Sequence, residues 1–505
     1  MFIGIDLGTS GVKAILLDRQ DRVLASASRH LSLLPQMPQN PLWREQHPAS
    51  WWTACEQAVM ALLRAAKELG IAADAIEAIG LTGQMHGATV LDDAGHVLRP
   101  AILWNDGRSF AECAELERRV PASRQITGNL MMPGFTAPKL LWLSRHEPQV
   151  FERIAKVLLP KDWLRYELTG DYASDMSDAA GTMWLDVGQR TWNDELLHAT
   201  GLSRAHMPAL YEGPQITGML KPELAQRWGL QQIPVVAGAG DNAAGAIGVG
   251  IVRPRQAMLS LGTSGVYFAA TDGFHANPER AVHSFCHALP ATWHLMSVML
   301  SAAACLDFSA QLTGYADVAE LLADAEQHGA NDISPDAPLF LPYLNGERTP
   351  HNNPNAQGVF FGMRTGITRA DLALATLEGV GFGLSDGIDA VSSCNGNATA
   401  AAAEEITLIG GGSRSAFWAQ MLADISGRRL VRRQGGDVGP ALGAARLARM
   451  GVADKSGDSA SLLDICPVPP QIAVYDPHPQ RHAQYAQRRK KFALLYQQLL
   501  PVFSA

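Results

Sequence analysis

A chain of 505 residues is too long for a single core and, at roughly 100 to 200 residues per unit, should fold as two to four domains. With 47% hydrophobic and 18% charged residues, 47 Gly and 29 Pro, its composition excludes a disordered or fibrous chain. A net charge of −8 argues against a broad surface for nucleic acid or anionic membrane, so the expected partner is a small molecule.

In chain order, 2–6 (FIGID), 11–18 and 22–28 read as three short strands of a meander, the first two joined by Leu7, Gly8, Thr9 and Ser10. Residues 49–70 carry apolar side chains at helical spacing and stop on Gly70, which predicts a helix before strands at 76–82 and 88–92. Strand 100–104, a helix near 109–120 and strand 155–160 continue the alternation. A Val235-Val236 strand then leads into a Gly/Ala-rich helix after Asp241, and the whole is an α/β pattern. Residues 257–270 form another hairpin, 294–312 are expected to be helical, and 338–344 form a strand. A long helix over 368–393, a strand at 406–410 and a helix at about 414–427 follow.

The six cysteines (Cys55, Cys113, Cys286, Cys305, Cys394, Cys466) lack paired spacing and read as thiols of a reducing, cytoplasmic compartment. Met1 runs directly into a strand, with no basic or apolar leader, so export is not expected. The apolar stretch 234–252 is broken by Asp241, Asn242 and several glycines, which excludes a lipid-facing helix.

Asp6 to Lys13 reads DLGTSGVK, and Ser260 to Tyr267 reads SLGTSGVY, 254 residues later. That offset is too long for a solenoid and predicts two related domains, 1–246 and 247–505, each opening on a hairpin. Turns built from Gly8, Thr9, Ser10 and from Gly262, Thr263, Ser264 let backbone N–H groups approach phosphate oxygens, although either alone is also an ordinary tight hairpin. Asp6 stands beside the first turn, where its carboxylate suits a hydrated Mg²⁺ or caps the turn; Ser260 replaces it in the second copy. Gly410, Gly411 and Gly412 follow a strand and fit either a flat adenine ring or close helix packing, and Gly435, Gly436, Asp437, Val438 and Gly439 form a second such cluster. Asp241 follows a strand and a glycine turn, as a general base or as a helix cap, with Asn242 beside it. Asn105 and Asp106 follow another strand end and either contact ligand or, with Arg108, close a loop. His283, Cys286 and His287 have metal-like spacing without a fourth ligand, and Asp175, Asp178 and Asp186 read as loop caps.

Gly134, Thr136, Lys139, Leu140, Trp142, Leu143, Arg145 and His146 resemble the first signature of the FGGY carbohydrate kinases. Gly358, Phe360, Gly362, Asp371, Leu372, Ala375, Thr376, Leu377 and Glu378 resemble the second. The resemblance covers nearly the whole chain. It implies the fold shared with actin and heat-shock ATPases, two ribonuclease H-like α/β domains around a cleft. It also implies ATP with Mg²⁺, Asp241 as base assisted by Asp6, Met85 and His86 on the sugar, and often a homodimer. GQMHG at 83–87, LWNDGR at 103–108, PKDWLR at 160–165, SDMSDAAGTMWLD at 174–186 and YLNGERTPHNNP at 343–354 are similar to the branch whose sugar is D-xylulose, phosphorylated on its 5-hydroxyl.

Overall fold

The computed structural model describes residues 1–35, 39–329, 334–394, 403–434, 439–456 and 461–503. The chain opens with β1 (Phe2–Leu7), β2 (Gly11–Leu17) and β3 (Val23–His30), an antiparallel meander in which Leu7 faces Val12 across the first turn. Helix α1 (Pro48–Glu68) starts on Pro48, whose missing N–H costs nothing at that position. It buries Trp51, Cys55, Ala58, Val59 and Leu62 as one stripe over the meander. Strand β4 (Ala78–Gly83) then pairs parallel to β1.

Helices α2 (Thr136–His146) and α3 (Pro160–Thr169) follow, then β5 (Ile216–Met219), β6 (Pro234–Val236) and α4 (Asp241–Gly248). The first sheet runs β5-β6-β4-β1-β2-β3, and the short strand Ala239–Gly240 also pairs with β4.

The second half repeats the plan. β7 (Ala257–Leu261) and β8 (Gly265–Thr271) keep the 254-residue offset from β1 and β2, and β9 (His283–Cys286) and β10 (Trp293–Met299) extend the sheet. Helix α5 (Ala304–Thr313) packs against α6 (Arg369–Ser392), which covers the sheet and is started by a capping box of Thr368 and Asp371. They are followed by β11 (Glu405–Ile409), α7 (Ala416–Ser426), β12 (Arg429–Arg433), α8 (Pro440–Ser456), β13 (Gln471–Tyr475) and α9 (Pro479–Phe503). The order is β9-β10-β8-β7-β11-β12-β13, with β11 parallel to β7 as β4 is to β1. This is the expected two-domain α/β fold.

One expected helix is wrong. Residues 293–299 of the run 294–312 form β10, because WHLMSVM pairs with β8 on one side and β9 on the other, and helix begins only at Ala304. An apolar run this short does not declare its period.

Helix α8 lies against β1 and β4 of the first sheet and crosses α4. The approach is backbone to backbone. A Cβ on Gly4 would fall 2.0 Å from the Ala441 carbonyl oxygen, and one on Gly80 1.9 Å from that of Ala444. Arg446 anchors the helix through the Asp21 carboxylate and the Ile247 carbonyl. A helix from late in the chain thus shares the first domain's core. No helix among the described residues is long and apolar enough to cross a membrane.

Candidate active site

A cavity of about 270 Å³ opens between the two halves. The first half contributes Met85, His86, Trp104, Phe135, Asp241 and Asn242 to its wall, and the second contributes Ser264, Val266, His283, Val298 and Arg348.

Asp241 is the first residue of α4, with Gly240 at the cap position, so the carboxylate sits at the positive end of the helix rather than capping it. One oxygen accepts from the backbone and side-chain amides of Asn242, at 2.7 and 2.9 Å; the other has no hydrogen-bond partner among the described residues. Burial raises its pKa to about 6 against the pull of those amides. Asp6, at the end of β1, is pushed further, to about 7, by burial and by the charge of Asp241, with Lys13 opposing. Its Oδ1 is buried and unpartnered.

The start of α4 is fixed from behind. Lys161, fully buried, pairs with Asp162 and, at 3.0 Å, with Asp175. Asp175 accepts from Ser177, whose hydroxyl receives the Gly240 N–H at 3.1 Å. Asp175 also caps the helix Met176–Ala179, and Asp186 accepts from the Gln189 backbone; Asp178 lies 3.8 Å from Lys161. Asp175 and Asp186 are therefore occupied with protein groups, whereas both Asp178 oxygens are buried without a hydrogen-bond partner among the described residues, with the charge of Lys161 nearby.

His86 adopts φ = 69°, an uncommon conformation for a residue with a side chain. Three bonds hold it there. Its carbonyl accepts from Thr136 Oγ1 and Lys139 Nζ, and its Nδ1 lies 2.9 Å from the Gly181 carbonyl. A carbonyl only accepts, so Nδ1 carries the proton and Nε2 is left as an acceptor. Burial drags the imidazole pKa down to about 3, so it is neutral at all working pH values. Close neighbours enforce small residues: a Cβ at Gly181 would lie 2.3 Å from His86 Nδ1, and one at Gly240 would lie 2.9 Å from the Met85 sulfur.

In both hairpin turns the phosphate-binding potential lies in the backbone. Thr9 Oγ1 donates to Gln84 and accepts from the Trp104 indole, so that hydroxyl is occupied. Thr263 gives its carbonyl to Ala302 and Ala304 at the start of α5. The amide nitrogens of Thr9, Ser10, Thr263 and Ser264 have no acceptor among the described residues, which leaves each turn a pair of donors for an anion.

The three glycines after β11 separate into different jobs. Gly410 has φ = 86° and Gly412 abuts Trp418 and Leu261, whereas a Cβ on Gly411 would meet nothing within 4 Å. Only Gly411 faces open space. Of the second glycine cluster, residues 435–438 lie outside the described residues.

Asn105 and Asp106 are not on the cavity wall. Asp106 is buried and spends both oxygens on Arg108 and the Arg44 backbone, because a buried carboxylate next to a guanidinium satisfies itself locally. Asn105 is exposed. The sequence reading missed Trp104, Phe135, His283 and Arg348. His283 had been noticed for its spacing to Cys286 and His287, yet its ring faces the cavity while His287 bonds the Ile251 carbonyl.

Residues 1–248 match the model of the FGGY family of carbohydrate kinases, N-terminal domain, and residues 257–452 match that of the C-terminal domain. The chain is 58% identical over 506 residues to the xylulose kinase of Escherichia coli K12, covering all of both chains. A xyloylose kinase from Brucella ovis superposes with a TM-score of 0.91 at 45% identity, covering 99% of each chain. The gluconate kinase of Lactobacillus acidophilus, 25% identical, reaches 0.89 over 99% of this chain and 98% of its own, so the fold alone does not select the sugar.

Proposed function

The chain belongs to the FGGY family of carbohydrate kinases, and we propose that it phosphorylates D-xylulose on its 5-hydroxyl with ATP as phosphoryl donor. The observation that carries the mechanism is the Asp241 carboxylate. One oxygen is held by Asn242, and the other is unpartnered in a cavity walled by both halves.

The free oxygen of Asp241 accepts the proton of the attacking hydroxyl, and its pKa of about 6 keeps it ionised at neutral pH. Met85 and the neutral His86 bind the sugar, His86 accepting a hydrogen bond from a sugar hydroxyl at Nε2, and Asn242 adds a further polar contact. In the turns Gly8–Ser10 and Gly262–Ser264 the paired amides of Thr9 and Ser10 and of Thr263 and Ser264 hold the phosphates, and Gly411 lets adenine approach the backbone of the second half.

Mg²⁺ fits this site. Asp6 has a buried, unpartnered oxygen and a pKa raised first by burial and then by the charge of Asp241, and a divalent cation would relieve both. Asp6 would hold it, and bound there the ion would neutralise phosphate charge.

Coupled ADP release tests the reading, with D-xylulose set against D-ribulose, L-fuculose, gluconate and glycerol. D-Xylulose should give the highest kcat/KM and no sugar the lowest rate. A higher value for another sugar would replace the substrate, and an equal rate without sugar would replace the reaction class by plain ATP hydrolysis.

A further inference from the structure

On the cavity wall, polar groups divide by what they can donate. Asp241 accepts only, His86 in its Nδ1–H tautomer offers an acceptor, and the Trp104 indole N–H is already given to Thr9. Arg348, from the second half, is the reverse. Its guanidinium has five N–H donors and no acceptor, and it forms no ion pair among the described residues. Its one protein contact there is NH1 to His283 Nε2, 3.4 Å away. Because the guanidinium must donate, His283 accepts at Nε2 and keeps its proton on Nδ1, which faces the Asn129 carbonyl oxygen at 3.4 Å. Asn129 is locked in that orientation by donating to the Thr127 and Ser284 carbonyls.

The backbone around Arg348 is equally fixed. Its N–H and that of Leu300 both donate to Glu347 Oε1, at 2.6 and 3.0 Å. Thr349 clips on to Val298 through its own N–H and its hydroxyl. A cation placed this firmly beside the sugar cavity, with donors left over, calls for an oxygen that accepts without having to donate.

We propose that Arg348 binds the C2 carbonyl oxygen of the open-chain ketose and so makes the site select ketose over polyol; this rests on the D-xylulose reading above. A polyol hydroxyl at the same place could accept from Arg348, but its own O–H finds no acceptor on the guanidinium and must compete for one elsewhere on the wall. The carbonyl oxygen has no such proton.

The experiment compares dissociation constants of D-xylulose and of xylitol, its C2-reduced polyol, by calorimetry without nucleotide, for the wild type and Arg348→Met. D-Xylulose should bind the variant about 10- to 100-fold more weakly. Xylitol should change by less than about threefold and the KM for ATP by less than about twofold, so the ketose-to-polyol ratio collapses. An unchanged D-xylulose affinity, or equal losses for ketose and polyol, would overturn the assignment. If thermal melting shows that Arg348→Met does not fold, Arg348→Gln carries the same comparison with the same expected collapse. Failure of the substrate reading is separately visible: wild-type enzyme that does not phosphorylate D-xylulose overturns both, whereas active wild type with an intact ratio in the variant overturns only Arg348.

Discussion

The ammonium of Lys139 donates to the backbone carbonyl of His86 at 2.9 Å, tying a family-signature lysine on α2 to the strained loop that presents the histidine proposed to bind the sugar. The same nitrogen reaches the Gly134 carbonyl at 2.8 Å, and burial lowers its pKa to about 7. A left-handed His86 persists only because such bonds hold it. Lys139→Met should therefore raise the KM for D-xylulose by roughly 10- to 100-fold while the KM for ATP moves less than about threefold. His86→Ala should show the same split. Equal effects on the two substrates would remove Lys139 and His86 from the sugar half of the site.

As the proposed base, Asp241 should shape the acid limb of the pH profile. Its folded pKa is about 6, so kcat/KM should fall about tenfold per pH unit below that point as the carboxylate takes up a proton. His86, near 3, stays neutral through this range and adds no limb of its own. Asp241→Asn should lower phosphorylation by roughly 10² to 10⁴-fold and abolish the limb, with ATP binding retained. A variant with near-normal kcat would exclude Asp241 as the base, whereas a limb that survives the substitution would belong to Asp6, whose folded pKa is about 7.

Asp6 should make the fold pay in stability for its function. Its folded pKa of about 7 lies above the ordinary 3.8, so between about pH 4 and 7 the folded state binds more protons than the unfolded one. Stability therefore falls as pH rises through that window, and the loss is complete above pH 7. Asp6→Asn removes the penalty. At pH 8, without nucleotide or metal, the variant should melt above the wild type, by an amount on the order of 2 kcal/mol, and the two should converge near pH 4. Phosphorylation should be severely reduced. A variant that melts at or below the wild type at pH 8 would mean that Asp6 is satisfied in the folded protein.

The duplicated hairpin was legible because it is local: six residues, LGTSGV, recur at a fixed offset, and the strands that carry them keep that offset along the chain. Strand β10 was not, since a short apolar run does not declare its period and the second of its neighbours, β8, is separated from it in sequence by β9. The cavity shows the same limit. Met85, His86, Asp241 and Asn242 stand out in glycine-rich strand ends, but Arg348 and His283 meet only through tertiary assembly, 65 residues apart. Thr9 is instructive, because a hydroxyl in a turn is visible in the sequence while the indole and amide that claim it are not.

The glycines after β11 allow a test that separates packing from binding within three residues. A Cβ on Gly412 would fall 2.6 Å from the Trp418 ring and 3.0 Å from the Leu261 Cβ, both in the core of the second half, so even Gly412→Ala must displace buried groups. It should cost roughly 1 to 3 kcal/mol of stability. A Cβ on Gly411 meets no protein atom within 4 Å, so Gly411→Val should melt within a degree or two of the wild type. If adenine lies against that open backbone, the valine occupies its place: the dissociation constant of a non-hydrolysable ATP analogue should rise at least about tenfold, with D-xylulose binding unchanged in the absence of nucleotide. Calorimetry on the two variants, alongside their melting curves, decides the matter. Unchanged nucleotide affinity in a well-folded Gly411→Val would take the glycine run out of the adenine site and leave close packing against Leu261 and Trp418 as its whole purpose.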